Sequence, residues 1–92
     1  DAARAERWGL VNAVVPPEEL MPAARAFARR IAANAPLAVQ AAKELALRSR
    51  DMPLADGLRL EQMVSRILQG SEDVKEGRAA FAEKRPPRFE GR

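Results

Sequence analysis

The sequence contains no histidine and no cysteine, and these two absences exclude most familiar catalytic and metal sites. Ser-His-Asp and Cys-His triads need an imidazole base, and structural zinc sites are built from thiolate and imidazole ligands. We therefore predict no metal site. A disulfide framework is excluded as well, which suits a cytoplasmic protein, and the cytoplasm is the location that we expect.

Aromatic residues are scarce, at 4% of the chain, although 47% of the residues are hydrophobic. Alanine supplies much of that apolar content, and it favours helices while burying little area per residue. We therefore expect a thin core unless the chain packs against something else. No apolar run approaches the roughly 18 to 20 residues of a membrane-spanning helix, and the five scattered glycines form no phosphate-binding loop. No membrane partner is expected.

The formal net charge of +3 is concentrated at the C-terminus. Residues 1–77 carry eleven basic and eleven acidic side chains, whereas residues 78–92 carry five basic and two acidic ones. A local basic patch attracts phosphate groups, nucleic acid or acidic lipid. The simpler interpretation is a solvated tail that aids solubility.

Most of the chain has the residue pattern of α-helices. "DAARAER" has helical composition, and Gly9 is placed to end it with a positive φ. Helices are also predicted from Pro17 to just before Pro36, across "PLAVQAAKELALRSRD", and from about residue 54 to residue 69. The fold class is therefore mainly α.

The last helix is predicted to start at "SEDVKEG". Asp73 would act as the N-cap, and Glu76, three residues later, would complete a capping box. Gly77 costs about 1 kcal/mol relative to alanine inside a helix, which suggests that a neighbouring backbone lies close to it.

One short strand is predicted near the N-terminus. "LVNAVV", residues 10–15, is apolar and rich in β-branched residues, and Pro16 and Pro17 close it. A single strand cannot satisfy its own backbone N–H and C=O groups. Its partner is therefore another copy of the chain or a segment outside this sequence, and we favour the second.

Two side chains of the last helix suit a ligand. Phe81 and Lys84 fall on broadly the same face, and a ring beside an ammonium group fits a nucleotide-like molecule. The plainer alternative makes Phe81 a core residue. Five acidic side chains could in principle act as acid or base, but capping or solvated roles are predicted for them: Glu18, Glu44, Glu61, Asp73 and Glu76. No catalytic residue is therefore predicted in this chain.

Three stretches, "GLVNAVVP", "PLAVQAAK" and "SEDVKEGRAAFAEKRPPRFEG", occur in the order and spacing of a known family. With their flanks they resemble the C-terminal part of the crotonase superfamily, the enoyl-CoA hydratases and isomerases, over essentially all 92 residues. The resemblance implies the helical trimerisation segment of a ββα-spiral fold. Residues 1–16 would be the end of the spiral core, and residues 17–92 the C-terminal helical oligomerisation domain.

The resemblance also implies a function. The parent enzyme would hydrate or isomerise 2-enoyl-CoA through an oxyanion-stabilised thioester enolate. Because the oxyanion hole and the acid/base glutamates of the family lie in the spiral core, this segment alone is expected to be inactive. The implied partners are acyl-CoA, which is a substrate rather than a cofactor, and copies of the chain in a trimer or hexamer. Phe81 and Lys84 match the "AFxEKR" positions that contact the adenosine and phosphate end of coenzyme A, often in a neighbouring subunit.

A non-enzymatic alternative is a helical module that binds an acidic partner or nucleic acid through residues 78–92. Such binding depends steeply on salt. The helices carry charges of both signs and resemble no recognition helix, so we expect no nucleic-acid partner.

Overall fold

The computed structural model describes all 92 residues. The chain consists of two compact units, Asp1–Arg30 and Ile31–Arg92. Five α-helices follow one another: α1 Ala2–Arg7, α2 Leu20–Ala32, α3 Pro36–Arg48, α4 Leu54–Leu68 and α5 Glu72–Glu83. Short 3-10 turns at Pro17–Glu19 and Ser49–Asp51 precede α2 and follow α3. The mainly helical fold class is therefore confirmed.

The helix ends follow local sequence signals. Gly9 has φ +72° just beyond α1, in the left-handed region that glycine enters at little cost. Pro36 stands at the first position of α3, where its missing N–H would have had no partner. Pro17 opens a 3-10 turn, so α2 itself begins only at Leu20.

The predicted strand at residues 10–15 is wrong for this chain, because these residues form bends and irregular backbone. The side chain of Glu6 accepts a hydrogen bond from the Val14 N–H at 3.2 Å, but no neighbouring strand is present to complete a ladder. Leu10 remains 74% exposed. Strand formation depends on a partner distant in sequence, and the described chain supplies none.

The core is as thin as the composition predicts. Ala80 and Asp73, at 2% and 3% exposure, are the two buried residues of the whole chain. Helices α3 and α4 pack together and leave between them an apolar groove of about 330 Å³, which is lined by residues such as Leu45, Met52 and Leu58. None of the five helices has both the length and the apolar character needed to cross a bilayer.

Candidate functional site

The start of α5 differs from the predicted capping box. Ser71 is the N-cap, and its hydroxyl accepts a hydrogen bond from the Val74 N–H at 3.3 Å. The prediction that Asp73 caps the helix is wrong, because the helix begins at Glu72 and Asp73 lies in its first turn. Ser and Asp are both strong N-cap residues, so the sequence offered two starting points two residues apart.

Asp73 instead holds the end of the chain. Its two carboxylate oxygens accept hydrogen bonds from the Glu90 N–H at 2.7 Å and the Gly91 N–H at 3.0 Å. Its own N–H donates to the Arg92 carbonyl oxygen at 3.1 Å. Gly91 has φ +75°, a conformation that favours glycine. This buried carboxylate is therefore satisfied by backbone amides rather than by a cation.

Glu76 holds the part of the tail closest to α5. One carboxylate oxygen accepts from Arg85 Nη1 at 2.6 Å and the other from Arg85 Nη2 at 3.0 Å, which is a bidentate pair. The Arg88 N–H also donates to Glu76 at 2.7 Å. We call Asp73 and Glu76, together with the tail groups that they bind in residues 85–92, the tail clasp. The tail is therefore docked along α5 and is not the solvated extension of the simpler interpretation.

The clasp shifts the ionisation of both members of its ion pair. Hydrogen bonds from the Arg85 guanidinium and then from the Arg88 N–H lower the pKa of Glu76 from 4.5 to about 2. Hydrogen bonds to Glu76 and then to Glu83 raise the pKa of Arg85. A carboxylate with so low a pKa is a poor general base near neutral pH, so Glu76 is suited to holding the tail rather than to catalysis.

The sequence predicts a neighbouring backbone at Gly77, but the structure places an aromatic ring there instead. A Cβ added there would lie 3.6 Å from Cε1 of Phe89, which is ordinary van der Waals contact. The ring of Phe89 thus covers α5 at Gly77, next to Glu76 of the clasp.

The C-terminus of α5 is a Schellman motif with lysine in the left-handed position. The Arg85 N–H donates to the Ala80 carbonyl oxygen at 3.0 Å, and the Lys84 N–H donates to that of Phe81 at 3.3 Å. Lys84 has φ +54° and ψ +38°. It is the one non-glycine residue of the chain with positive φ, and this conformation is uncommon for residues with a side chain.

The two predicted ligand-binding residues lie at this helix end and face solvent. Phe81 is 88% exposed, so it belongs to no core within this chain. Lys84 is three residues further on and also exposed, and its ammonium makes no salt bridge. An uncovered ring and an unpaired cation therefore stand at one end of α5.

Three of the five basic side chains in residues 78–92 already have a side-chain partner. Arg78 donates to Gln69 at 2.5 Å, Arg85 pairs with Glu76 and Glu83, and Arg92 pairs with Glu90. The side chains of Lys84 and Arg88 make no hydrogen bond or salt bridge. Of the five basic side chains, Arg85 and Arg92 are paired with carboxylates, so their charges are compensated within the chain.

The family model for enoyl-CoA hydratase/isomerase matches residues 1–92. The chain belongs to this family. It is 46% identical over 90 residues to the (E)-benzylidenesuccinyl-CoA hydratase of Thauera aromatica, covering 98% of this chain and 35% of that relative. It is also 46% identical over 94 residues to the carnitinyl-CoA dehydratase of Salmonella arizonae, covering 98% of this chain and 36% of that relative.

Solved structures of the enoyl-CoA hydratase/isomerase family share the helical arrangement. The enoyl-CoA hydratase of Bacillus anthracis superposes with a TM-score of 0.95 at 37% identity, over 99% of this chain and 35% of that one. The chain therefore spans about a third of the length of its relatives and corresponds to the helical C-terminal segment of the crotonase fold.

Proposed function

We propose that this chain is the C-terminal helical segment of an enoyl-CoA hydratase/isomerase and that Phe81 and Lys84 bind the adenosine and phosphate end of a coenzyme A thioester. The observation that carries the proposal is that the Phe81 ring, 88% exposed, and the exposed Lys84 ammonium, three residues later and without a salt bridge, both stand at the end of α5. A flat apolar ring suits an adenine face, and an ammonium suits a phosphate. The family to which the chain belongs supplies the substrate class.

The acid/base residues of the reaction would lie outside these 92 residues. Glu76 is committed to Arg85, and Glu44 pairs with Arg48 at 2.5 Å on the surface of α3. The reaction would be hydration or isomerisation of 2-enoyl-CoA, with the thioester as the substrate and no further cofactor. Crotonyl-CoA added to the segment alone would give no turnover, and hydration above a blank would overturn this part of the proposal.

The binding role is tested in the full-length protein that carries this segment, called the whole enzyme below. We expect Lys84→Ala to raise the KM for crotonyl-CoA by about tenfold, the usual effect of losing one charge-assisted contact, with little change in kcat. Phe81→Ala should raise the same KM. Neither variant should change the KM for crotonyl-pantetheine, which lacks the adenosine and its phosphates.

Lys75→Ala is the matched control, because Lys75 is an exposed lysine of the same helix that pairs with Glu72. If Lys84→Ala and Lys75→Ala give the same KM for crotonyl-CoA, the proposed site is wrong. Loss of kcat for both substrates would point to misfolding rather than to binding.

We also propose a homo-oligomer, a trimer or hexamer, in the cytoplasm, with residues 1–16 completing the core and residues 17–92 forming the interfaces. Exposed apolar side chains such as Leu54, Met63 and Ile67 along α4 support this assignment. Light scattering of the whole enzyme should give a mass of three or six subunits, and a monomer would contradict it.

The alternative of a basic module for nucleic acid has less support, because Arg78, Arg85 and Arg92 already have side-chain partners.

A further inference from the structure

We infer that Glu76 is a positioning residue for the coenzyme A site: by holding Arg85 and the Arg88 amide, it fixes the left-handed turn at Lys84, three residues after Phe81. This inference rests on the proposed function. In this proposal Glu76 does not itself contact the ligand, and the tail clasp supports substrate binding indirectly.

The turn at Lys84 needs an external restraint. Left-handed backbone is unfavourable for a residue with a Cβ, and it persists when the surrounding structure holds it in place. The Schellman hydrogen bonds of Lys84 and Arg85 close the turn, but glycine usually occupies this position. The next residue along the chain is Arg85, whose guanidinium donates two hydrogen bonds to the Glu76 carboxylate.

Glu76 is well placed to supply that restraint. It lies in the middle of α5, so its backbone is fixed by the helix, and it is nine residues before Arg85. A bidentate guanidinium–carboxylate pair fixes orientation as well as distance. The additional bond from the Arg88 N–H at 2.7 Å directs the following residues along the helix and away from Lys84.

Asp73 acts on a different part of the tail. Its hydrogen bonds reach Glu90, Gly91 and Arg92, at least six residues beyond Lys84. Asp73 therefore anchors the end of the chain, whereas Glu76 restrains the residues next to the proposed ligand-binding lysine.

The sign of the expected effect separates positioning from simple electrostatics. A negative charge near a phosphate site repels the ligand, so removing it would strengthen binding if charge alone mattered. A positioning role predicts the opposite, because Glu76→Gln would release Arg85 and with it the turn at Lys84.

The test is a kinetic comparison of variants of the whole enzyme. We expect Glu76→Gln to raise the KM for crotonyl-CoA several-fold, up to the roughly tenfold loss expected for Lys84→Ala. The KM for crotonyl-pantetheine and both kcat values should stay unchanged. Glu72→Gln is the matched control, since it removes the same charge from the same helix but only breaks the exposed pair with Lys75. It should leave every parameter unchanged.

A double variant identifies the residue through which Glu76 acts. If Glu76 works through Lys84, adding Glu76→Gln to Lys84→Ala should give no further rise in KM. If Lys84→Ala raises the KM but Glu76→Gln behaves like Glu72→Gln, the inference is wrong and the proposed function stands. If Lys84→Ala has no effect, both are wrong. Equal losses for both substrates would show a general structural role and overturn the inference.

Discussion

Lys84 combines an unfavourable backbone conformation with a side chain that has no partner in the chain. Such a combination is typical of residues retained for function, since a glycine would fit the turn with less strain. Under the proposed function, folding and ligand binding therefore make opposite demands on Lys84.

Lys84→Gly should separate these demands in the whole enzyme. Removing the Cβ relieves about 1 kcal/mol of left-handed strain, which corresponds to a rise of roughly 2 °C in the melting temperature of a protein of this size class. The KM for crotonyl-CoA should rise at the same time, because the ammonium is lost. Both quantities are measured on the same preparation, by thermal unfolding and by initial rates.

Lys84→Ala is the control for that experiment, since alanine keeps the Cβ and removes the ammonium. It should raise the KM without raising the melting temperature. A lower melting temperature for Lys84→Gly than for Lys84→Ala would mean that the left-handed turn stores no strain.

At the scale of secondary-structure elements, α5 and its tail behave as one unit. The helix supplies two carboxylates on one face, and the tail supplies backbone amides and one guanidinium. The Phe89 ring of the tail lies against Gly77 of the helix. This unit depends on the ionised form of Glu76, so its stability depends on pH.

The lowered pKa of Glu76 sets the range in which acid opens the clasp. A carboxyl group whose pKa falls from 4.5 to about 2 on folding contributes its full stability above pH 4.5. That contribution declines as the pH falls and is lost below about pH 2. We expect the amide proton of Arg88, which donates to Glu76, to titrate in an NMR experiment with a midpoint near pH 2.

Glu76→Gln should abolish that transition at Arg88, which assigns the midpoint to this carboxyl group. A midpoint close to 4.5 in the unaltered protein would mean that Arg85 does not engage Glu76 in solution.

The sequence predicted those elements whose signals are local. Gly9 and Pro36 correctly marked a helix end and a helix start. The strand at residues 10–15 failed because pairing requires residues distant in sequence. Asp73 and Glu76 were assigned to a capping box because their true partners lie 9 to 18 residues further along.

One pattern in the sequence does point to the clasp. Two carboxylates three residues apart lie on one helix face, and they precede a segment in which Pro86 and Pro87 forbid further helix. Such an extended segment has free N–H groups that need acceptors. The exposure of Phe81, in contrast, depends on which face of α5 the tail packs against. Contacts between residues distant in sequence decide that, so the residues around Phe81 do not predict it.

At the scale of the whole molecule, the chain buries almost nothing for itself. Its helices present large apolar side chains to solvent, including Leu20 and Phe27 on α2 and Met63 and Ile67 on α4. Since apolar burial is the main favourable contribution to folding, the isolated chain has little from which to gain cooperative stability.

We therefore expect the isolated 92-residue chain to self-associate and to unfold without a sharp transition. Light scattering should give a mass that rises with concentration, and thermal circular dichroism should show a broad loss of helix. Replacing Met63 and Ile67, which are 61% and 75% exposed, by lysine should lower the mass. Lysine at Gln62 and Ser65, exposed polar positions of the same helix, adds the same charge and should not. If both pairs of substitutions reduce association equally, the cause is charge repulsion rather than the apolar face of α4. A sharp thermal transition in a strictly monomeric chain would mean that these helices need no covering partner.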